Sequence, residues 1–412
     1  MKKKILSIIL VCSMIFGISG CDDKNLSEVS GKNPTSPEYE IKKNDGILDF
    51  SINLLKETYD LGENILISPL SVIYALGMTG NGADSKTRQE FESVLGIEIE
   101  ELNDFSKNYI NKINNLEGVD FNLADSIWVD KDRKINLNKE FKNIILENYN
   151  AEVYDEKFND KTVKKINKWV DKNTNKMIPE IIDELSSNDI VILINALAFE
   201  GKWEDPYEEY QVEYGLFSNY DKTLSDVSFL TADVNNYVSN GEACGFFKEY
   251  GGYEYGFFAL LPEKDRSIDD FVENLSGEKF DELFQNISYD YVVHTKIPKF
   301  EIEYGKNLQE PIKTMGLKNA FEPDADFSLM TDEKEIYISD IIHKTYMKVD
   351  EKGTKAAAVT AVKTESAMEN PEEPKYKDVI LNRPFVYGII DLETMMPVFT
   401  GVMNNIDSKI SD

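Results

Sequence analysis

Residues 351–368 read EKGTKAAAVTAVKTESAM, and the fold can be inferred from this stretch. It follows a strand-like run and precedes Pro371 and Pro374, which predicts a long exposed loop. Its side chains nevertheless alternate with a period of two. Even positions from 354 to 366 are small or β-branched and uncharged, whereas the odd positions carry every charge. This alternation is typical of a strand with one buried and one solvated face, so it predicts a loop that can become a strand.

Two other interpretations of this stretch remain open. It could be a permanent strand of a sheet. It could also be a helix, because Ala356, Ala357 and Ala358 have high intrinsic helix propensity.

Hydrophobic periodicity changes along the chain. Apolar residues recur with helical spacing at 47–55, 69–78 and 162–173. Strand-like runs dominate the second half, at 190–194, 255–261, 291–295, 335–338, 345–349 and 384–390. Helices first and strands later predict an α+β fold with an antiparallel or mixed sheet, and they argue against regular βαβ alternation.

Five segments of the chain resemble the serpins, and they occur in the family's order. They are 64–71 (NILISPLS), 195–203 (NALAFEGKW), 297–300 (IPKF), 348–358 (KVDEKGTKAAA) and 379–389 (VILNRPFVYGI). The fourth resembles the hinge of the family, and the fifth resembles the signature that follows its reactive loop. The resemblance extends from about residue 45 to about residue 405.

The resemblance implies a serpin fold. Such a fold has a large, mostly antiparallel central sheet, smaller sheets, about eight or nine helices and an exposed reactive-centre loop, here at about 351–378. It also implies an inhibitor of serine proteases, and sometimes of cysteine proteases. In that mechanism the protease cleaves the loop and is trapped as an acyl-enzyme when the loop inserts into the central sheet.

The same resemblance assigns roles to individual residues. The hinge, where insertion begins, corresponds to Glu351, Gly353, Thr354, Ala356, Ala357 and Ala358. The polar cluster at the place where the sheet opens corresponds to Ser68, Ser71, Asn195 and His343. Trp203 corresponds to the tryptophan near the point of first insertion, and core packing alone would explain it equally well.

Counting from the hinge gives the reactive bond. It falls between Ala367 and Met368, with Met368–Glu369 as the alternative, because the stretch 368–382 is longer than is usual in the family. Alanine before the bond favours elastase-like or subtilisin-like proteases as targets. Lys355 also departs from the family pattern, which usually has an acid there, but it lies on the predicted solvated face.

Composition and missing motifs exclude several other functions. Acidic residues number 75 against 45 basic ones, a net charge of -30, so nucleic acid and heparin are not expected as partners. The chain lacks the nucleophile elbow of hydrolases, the His-Glu-x-x-His zinc motif and a phosphate-binding loop. We therefore expect a non-enzymatic protein that needs no cofactor or metal and is a monomer.

The N-terminus predicts export and lipid anchoring. Residues 1–20 place three lysines before an apolar run that is too short to span a membrane, as in a signal peptide. The run ends in Ser19-Gly20-Cys21, which resembles the lipobox of bacterial lipoproteins. Residues 21–44 would then be a lipidated cysteine and a flexible tether, 45–405 a serpin domain outside the cytoplasm, and 406–412 a tail.

Replacing Cys21 with serine tests the anchor. We expect Cys21→Ser to abolish incorporation of labelled fatty acid and to release the protein from the membrane fraction, because stable anchoring requires the acyl chains. Unchanged labelling of the variant would contradict the prediction.

Overall fold

The computed structural model describes residues 41–186, 189–354 and 374–408. These residues belong to one compact unit, Tyr39–Asp412. Several predicted sites lie outside the described residues, namely Cys21, Ala356, Ala357, Ala358, Ala367, Met368 and Glu369.

Nine α-helices form within the described residues. They are α1 (Asp45–Thr58), α2 (Pro69–Gly80), α3 (Ser85–Leu95), α4 (Ile99–Ile113), α5 (Lys139–Tyr149), α6 (Asp160–Asn173), α7 (Ile268–Asn274), α8 (Gly277–Gln285) and α9 (Gln309–Met315). Six of them begin after an Asn, Asp or Ser whose side chain accepts a hydrogen bond from a first-turn N–H group, which fixes where each begins. None of the described helices is long and apolar enough to cross a membrane.

Sixteen strands complete the described fold. They are β1 (Ile65–Ile67), β2 (Val119–Asp130), β3 (Glu152–Glu156), β4 (Val191–Lys202), β5 (Val212–Ser218), β6 (Leu224–Val234), β7 (Val238–Ser239), β8 (Ala243–Glu249), β9 (Tyr255–Pro262), β10 (Tyr291–Pro298), β11 (Phe300–Asn307), β12 (Ile338–Asp350), β13 (Gly353–Thr354), β14 (Lys375–Ile380), β15 (Phe385–Asp391) and β16 (Met396–Met403).

The strands form three sheets. The central sheet has the order β11-β12-β13-β4-β2-β3 and contains the longest strands. A second sheet, the rear sheet, has the order β1-β16-β15-β9-β8-β7, and a four-stranded small sheet has the order β14-β10-β6-β5. Nine described helices packed with one large, mostly antiparallel sheet and two further sheets confirm the predicted α+β class, although α7, α8 and α9 lie in the second half of the chain and β1 to β4 in the first.

Helix α2 occupies the middle of the core. All twelve of its residues are buried, and it contacts β4 of the central sheet and β16 of the rear sheet. A helix that is apolar all round requires such a position, because it has no face to present to water. The first residues of α2 therefore lie directly beneath the central sheet.

One predicted strand is wrong over most of its length. Of the run at 335–338, only Ile338 is in a strand, where β12 begins. Glu335 has φ +60°, in the left-handed region, and a strand cannot continue through that conformation.

Candidate functional site

The central sheet contains a partly closed seam between β12 and β4. These two strands pair in parallel from Ile338 to Tyr346 on β12, although most of the sheet is antiparallel. Beyond Tyr346 they separate, and the two residues of β13 lie between them. We call the paired stretch the seam and the separated end its open end. The predicted hinge thus begins inside the sheet.

Gly353 is required at the open end of the seam. Its φ is +148°, which disfavours residues with a Cβ. A Cβ there would lie 2.1 Å from the carbonyl oxygen of Gly201 and 2.7 Å from Cα of Lys202. Glycine is therefore the only residue type at this hinge position that lets the chain enter between these strands without displacing β4.

Thr354 is buried between aromatic side chains. Its hydroxyl forms a 2.6 Å hydrogen bond with the hydroxyl of Tyr250. Tyr250 stacks on Trp203 with 4.7 Å between ring centroids, and Trp203 Nε1 donates to the carbonyl of Asp350 at 2.9 Å. Trp203 therefore contacts Asp350 directly and Thr354 through Tyr250, which is a hinge partner that the sequence did not indicate.

Glu351, the first residue of the predicted hinge, is held by an ion pair. Lys299 Nζ donates to its carboxylate at 2.7 Å. Burial alone would raise the pKa of Glu351, but the hydrogen bond and the charge of Lys299 outweigh it and lower that pKa. The pair connects the start of the hinge to the segment between β10 and β11. Lys299 belongs to the IPKF segment, but no local pattern identifies its partner.

The structure brings together all four residues of the predicted polar cluster. The backbone N–H of Ser68 donates to Nε2 of His343 at 3.1 Å, and the hydroxyl of Ser71 donates to Oδ1 of Asn195. Asn195 in turn donates from Nδ2 to the carbonyl of Ser71 at 2.6 Å. Asn195 and His343 pair directly across the seam. The start of α2 is thus hydrogen-bonded to both strands that must separate if the seam opens.

Asp125 is a fifth member of this cluster, and the sequence analysis missed it. It lies on β2 opposite Asn195 and accepts a hydrogen bond from Asn195 Nδ2, while its Oδ2 has no partner in the described part of the chain. Burial raises the pKa of Asp125 to about 8, against the effect of the Asn195 hydrogen bond. The side chain is therefore a neutral carboxylic acid at neutral pH. One acid among 75 carries no sequence signal for this position.

His343 is neutral for the same reason. Its ring is buried, and burial lowers its pKa from 6.5 to about 3. Because Nε2 accepts from Ser68, the neutral ring carries its proton on Nδ1, which has no partner among the described residues. Asp125, Asn195 and His343 thus form a row of uncharged polar side chains across three adjacent strands.

Helix α6 covers the outer face of the seam. Val163, Ile166 and Val170 belong, together with Ile194 and Ala198 of β4, to an apolar cluster separate from the main core. The opposite face of β4 belongs to the main core. Opening the seam would therefore disturb the packing of α6 as well as the strand pairing.

Comparisons with known proteins assign the family. A family model described as serpin (serine protease inhibitor) matches residues 45–406, so the chain belongs to the serpin family. An uncharacterised serpin-like protein of Thermococcus kodakarensis is 27% identical over 97% of this chain and 98% of its own length. Intracellular coagulation inhibitor 2 of Tachypleus tridentatus is 29% identical over 85% of this chain and 88% of its own.

Solved structures agree with the family. The thermophilic serpin tengpin in its native state matches with a TM-score of 0.81 and 37% identity, over 89% of this chain and 96% of that one. Its latent state matches with a TM-score of 0.77 and 36% identity, over 89% of this chain and all 100% of that one. Human thyroxine-binding globulin matches with a TM-score of 0.77 and 23% identity, over 88% of this chain and 98% of that one, which shows the fold alone.

The two buried titrating groups predict a pH dependence of stability. Unfolded Asp125 loses its proton near pH 3.8, whereas the folded protein keeps it to about pH 8, so the free energy of unfolding falls as pH rises between these values. His343 has the opposite effect between about pH 3 and pH 6.5, because there the unfolded chain holds the extra proton. The two effects oppose each other below pH 6.5, and Asp125 acts without this opposition above it.

We expect Asp125→Asn to remove the fall in unfolding free energy above pH 6.5. The amide is isosteric with the protonated acid but does not titrate. Between pH 6.5 and pH 8 the wild type should lose about 1–2 kcal/mol more unfolding free energy than the variant, measured by urea unfolding. Asp120→Asn, which removes an exposed charge from the same strand, is the matched control and should behave as wild type. Equal pH slopes for wild type and Asp125→Asn would contradict the prediction.

Proposed function

We propose that this protein inhibits serine proteases as a suicide substrate. The protease serine would attack the loop carbonyl at Ala367 and expel the amine of Met368, which leaves an acyl-enzyme. The cut loop would then enter the seam as a new strand and carry the protease with it. The observation that supports this most is β13, because its two residues already pair with β4 and β12 at the open end.

Continuing the register of β13 predicts where the loop would lie. Thr354 pairs with Gly201 of β4 and with Val349 of β12, and both strands run antiparallel to β13. Each step forward along the loop is therefore one step back along both neighbours. Six residues beyond Thr354, Thr360 would lie between Asn195 and His343, which now pair with each other.

The polar cluster suits such an exchange of partners. Separating Asn195 from His343 would break a pairing that Thr360 could replace, since its hydroxyl can both donate and accept. The unpartnered Nδ1–H of His343 is a donor already present at the seam. A neutral row of side chains also lets the strands part without separating buried opposite charges.

The loop has the side chains that the core face requires. On β12 the residues that share a face with Val349 are buried, and their partner Thr354 is buried too. Continued insertion would bring positions 356, 358, 360 and 362 to the same face, where the sequence has Ala, Ala, Thr and Val. Lys355 and Lys363 would face outward. We infer that the period-two pattern serves this inserted state.

The fold by itself leaves a non-inhibitory role open. Thyroxine-binding globulin has the same fold, so carriage of a small ligand is compatible with it. The small, uncharged even positions of the loop favour inhibition, because a protein that never inserts its loop has no need of them. Insertion after cleavage distinguishes the two roles.

Further proposals concern the setting of the inhibitor. Alanine before the reactive bond favours elastase-like or subtilisin-like targets, and cysteine proteases are a less favoured class. Lipidation at Cys21 would attach the serpin domain to the outer side of the cell membrane as a monomer. The acidic surface, with a net charge of -30, supports a target that is not itself strongly acidic.

We expect loop cleavage to raise the thermal stability. A new strand that pairs on both sides over about ten residues adds on the order of ten ladder hydrogen bonds at about 1 kcal/mol each. This gain corresponds to a rise in Tm of about 10–20 °C. Calorimetry of intact and cleaved protein measures it, and equal melting temperatures would contradict insertion.

A charged residue at the middle of the seam should turn the inhibitor into a substrate. We expect Thr360→Arg to be cleaved at the same bond without retaining the protease, because the guanidinium would be buried between Asn195 and His343 at a cost of several kcal/mol. Thr354 is a less suitable site, because it is already buried against Tyr250 in the native protein. Denaturing gels after reaction with an elastase-like or subtilisin-like protease give the fraction of covalent complex.

Ala361→Arg is the matched control, since it introduces the same side chain one position away on the outward face. It should retain most of the covalent complex. Equal loss of complex in both variants would refute the assignment of faces, and an undiminished complex in Thr360→Arg would refute insertion through the seam.

A further inference from the structure

An open cavity of about 510 Å³ lies between three connecting segments, and none of its lining residues belongs to β4, β12 or β13. These segments are the turn between β5 and β6, the connection from β9 to α7, and the connection from β14 to β15. The backbone N–H of Ser218 donates to the carbonyl of Asn382 at 2.9 Å, which joins the first segment to the third. The cavity is therefore bounded by connections that join strands of the rear sheet and of the small sheet.

The lining of this cavity reverses the charge balance of the chain. Four cations line it, Lys222, Lys264, Arg266 and Arg383, against one carboxylate, Asp269. In the whole chain, acids outnumber bases by 75 to 45. In so acidic a protein, this local excess of cations makes the cavity a positively charged region of the surface.

Both oxygens of the single carboxylate already accept hydrogen bonds within the protein. One oxygen of Asp269 accepts from the hydroxyl of Tyr59 at 2.7 Å, and the other accepts from the hydroxyl of Tyr220 at 2.8 Å. Neither hydrogen bond involves a cation. Asp269 keeps its negative charge, so the lining has four cations against one anion.

Three of the four cations have no described carboxylate as a partner. The guanidinium of Arg383 donates to the carbonyl of Pro262 at 2.6 Å, is half-buried, and forms no ion pair with a described residue. Burial lowers the pKa of Arg383, although the charge of Glu263 opposes this effect. Lys222 and Lys264 are exposed and form no ion pair with described residues either. Arg266 alone is paired, at 3.5 Å from Glu242.

We propose that this cavity binds a compact polyanion, a small molecule with two or more negative charges on oxygen. A half-buried guanidinium provides directed donors, and the two lysines provide mobile charge at the mouth. The ligand must be compact, because Glu263, Asp265 and Asp270 line the adjoining cavity and would repel a long polyanion. Phosphate esters and di- or tricarboxylates share this chemistry.

Thermal unfolding with two probes tests the site and distinguishes these sources. Pyrophosphate represents the phosphates and citrate the carboxylates, each titrated at an ionic strength held constant with NaCl. We expect a saturable rise in Tm of about 3 °C with at least one probe at a hundredfold excess over its Kd. A rise in Tm with pyrophosphate alone assigns a phosphate ligand, and a rise with citrate alone assigns a carboxylate ligand. Either outcome supports the site.

Charge-reversal variants locate the binding. The double variant Lys222→Glu, Lys264→Glu should lose the rise, whereas the matched double variant Lys107→Glu, Lys139→Glu, at exposed positions outside the cavity, should keep it. Both variants must first show a cooperative melt in NaCl alone. The absence of a rise with either probe in the wild type, or an equal rise in both double variants, would overturn the proposal.

Discussion

The pairing of β4 with β12 is the constraint on which the rest of the structure depends. These two long strands pair in parallel through the middle of the central sheet, but Gly353 and Thr354 occupy the space where that pairing would continue. The sheet is therefore closed along most of the seam and already contains the start of a further strand.

Three elements hold the seam in its present state. Helix α6 covers its outer face, the start of α2 is hydrogen-bonded to both of its strands, and the aromatic pair Tyr250 and Trp203 packs around the hinge. The polar cluster has an unusual composition for so deep a site, because Asp125 and His343 are both buried and both uncharged. Neutral polar groups hold the strands together by hydrogen bonds alone, and these can be exchanged at lower cost than a buried ion pair.

Charge acts on two different length scales in this protein. Over the whole surface, the net charge of -30 disfavours long polyanions such as nucleic acids. Over the few ångströms of the cavity near Arg383, four cations face one carboxylate that two tyrosines already satisfy. The two observations are compatible, because salt screens the long-range repulsion while contacts inside a cavity are screened much less.

The sequence by itself determined the fold class, since alternation in the loop and ordered motifs are local patterns that can be read along the chain. The hinge and the four residues Ser68, Ser71, Asn195 and His343 came from the resemblance of those motifs to the serpins. It also located helices α1, α2 and α6 and strands β4, β9, β10, β12 and β15, but not the other elements. It placed one further strand through Glu335, whose backbone conformation excludes it. Only the tertiary structure decided that Asp125, Tyr250 and Lys299 join the site, and that four cations distant in sequence surround one cavity. These residues have no local signature, because their roles arise from pairing between strands and loops that lie far apart in the chain. The charge state of Asp125 is set by burial, and burial exists only once those elements have packed.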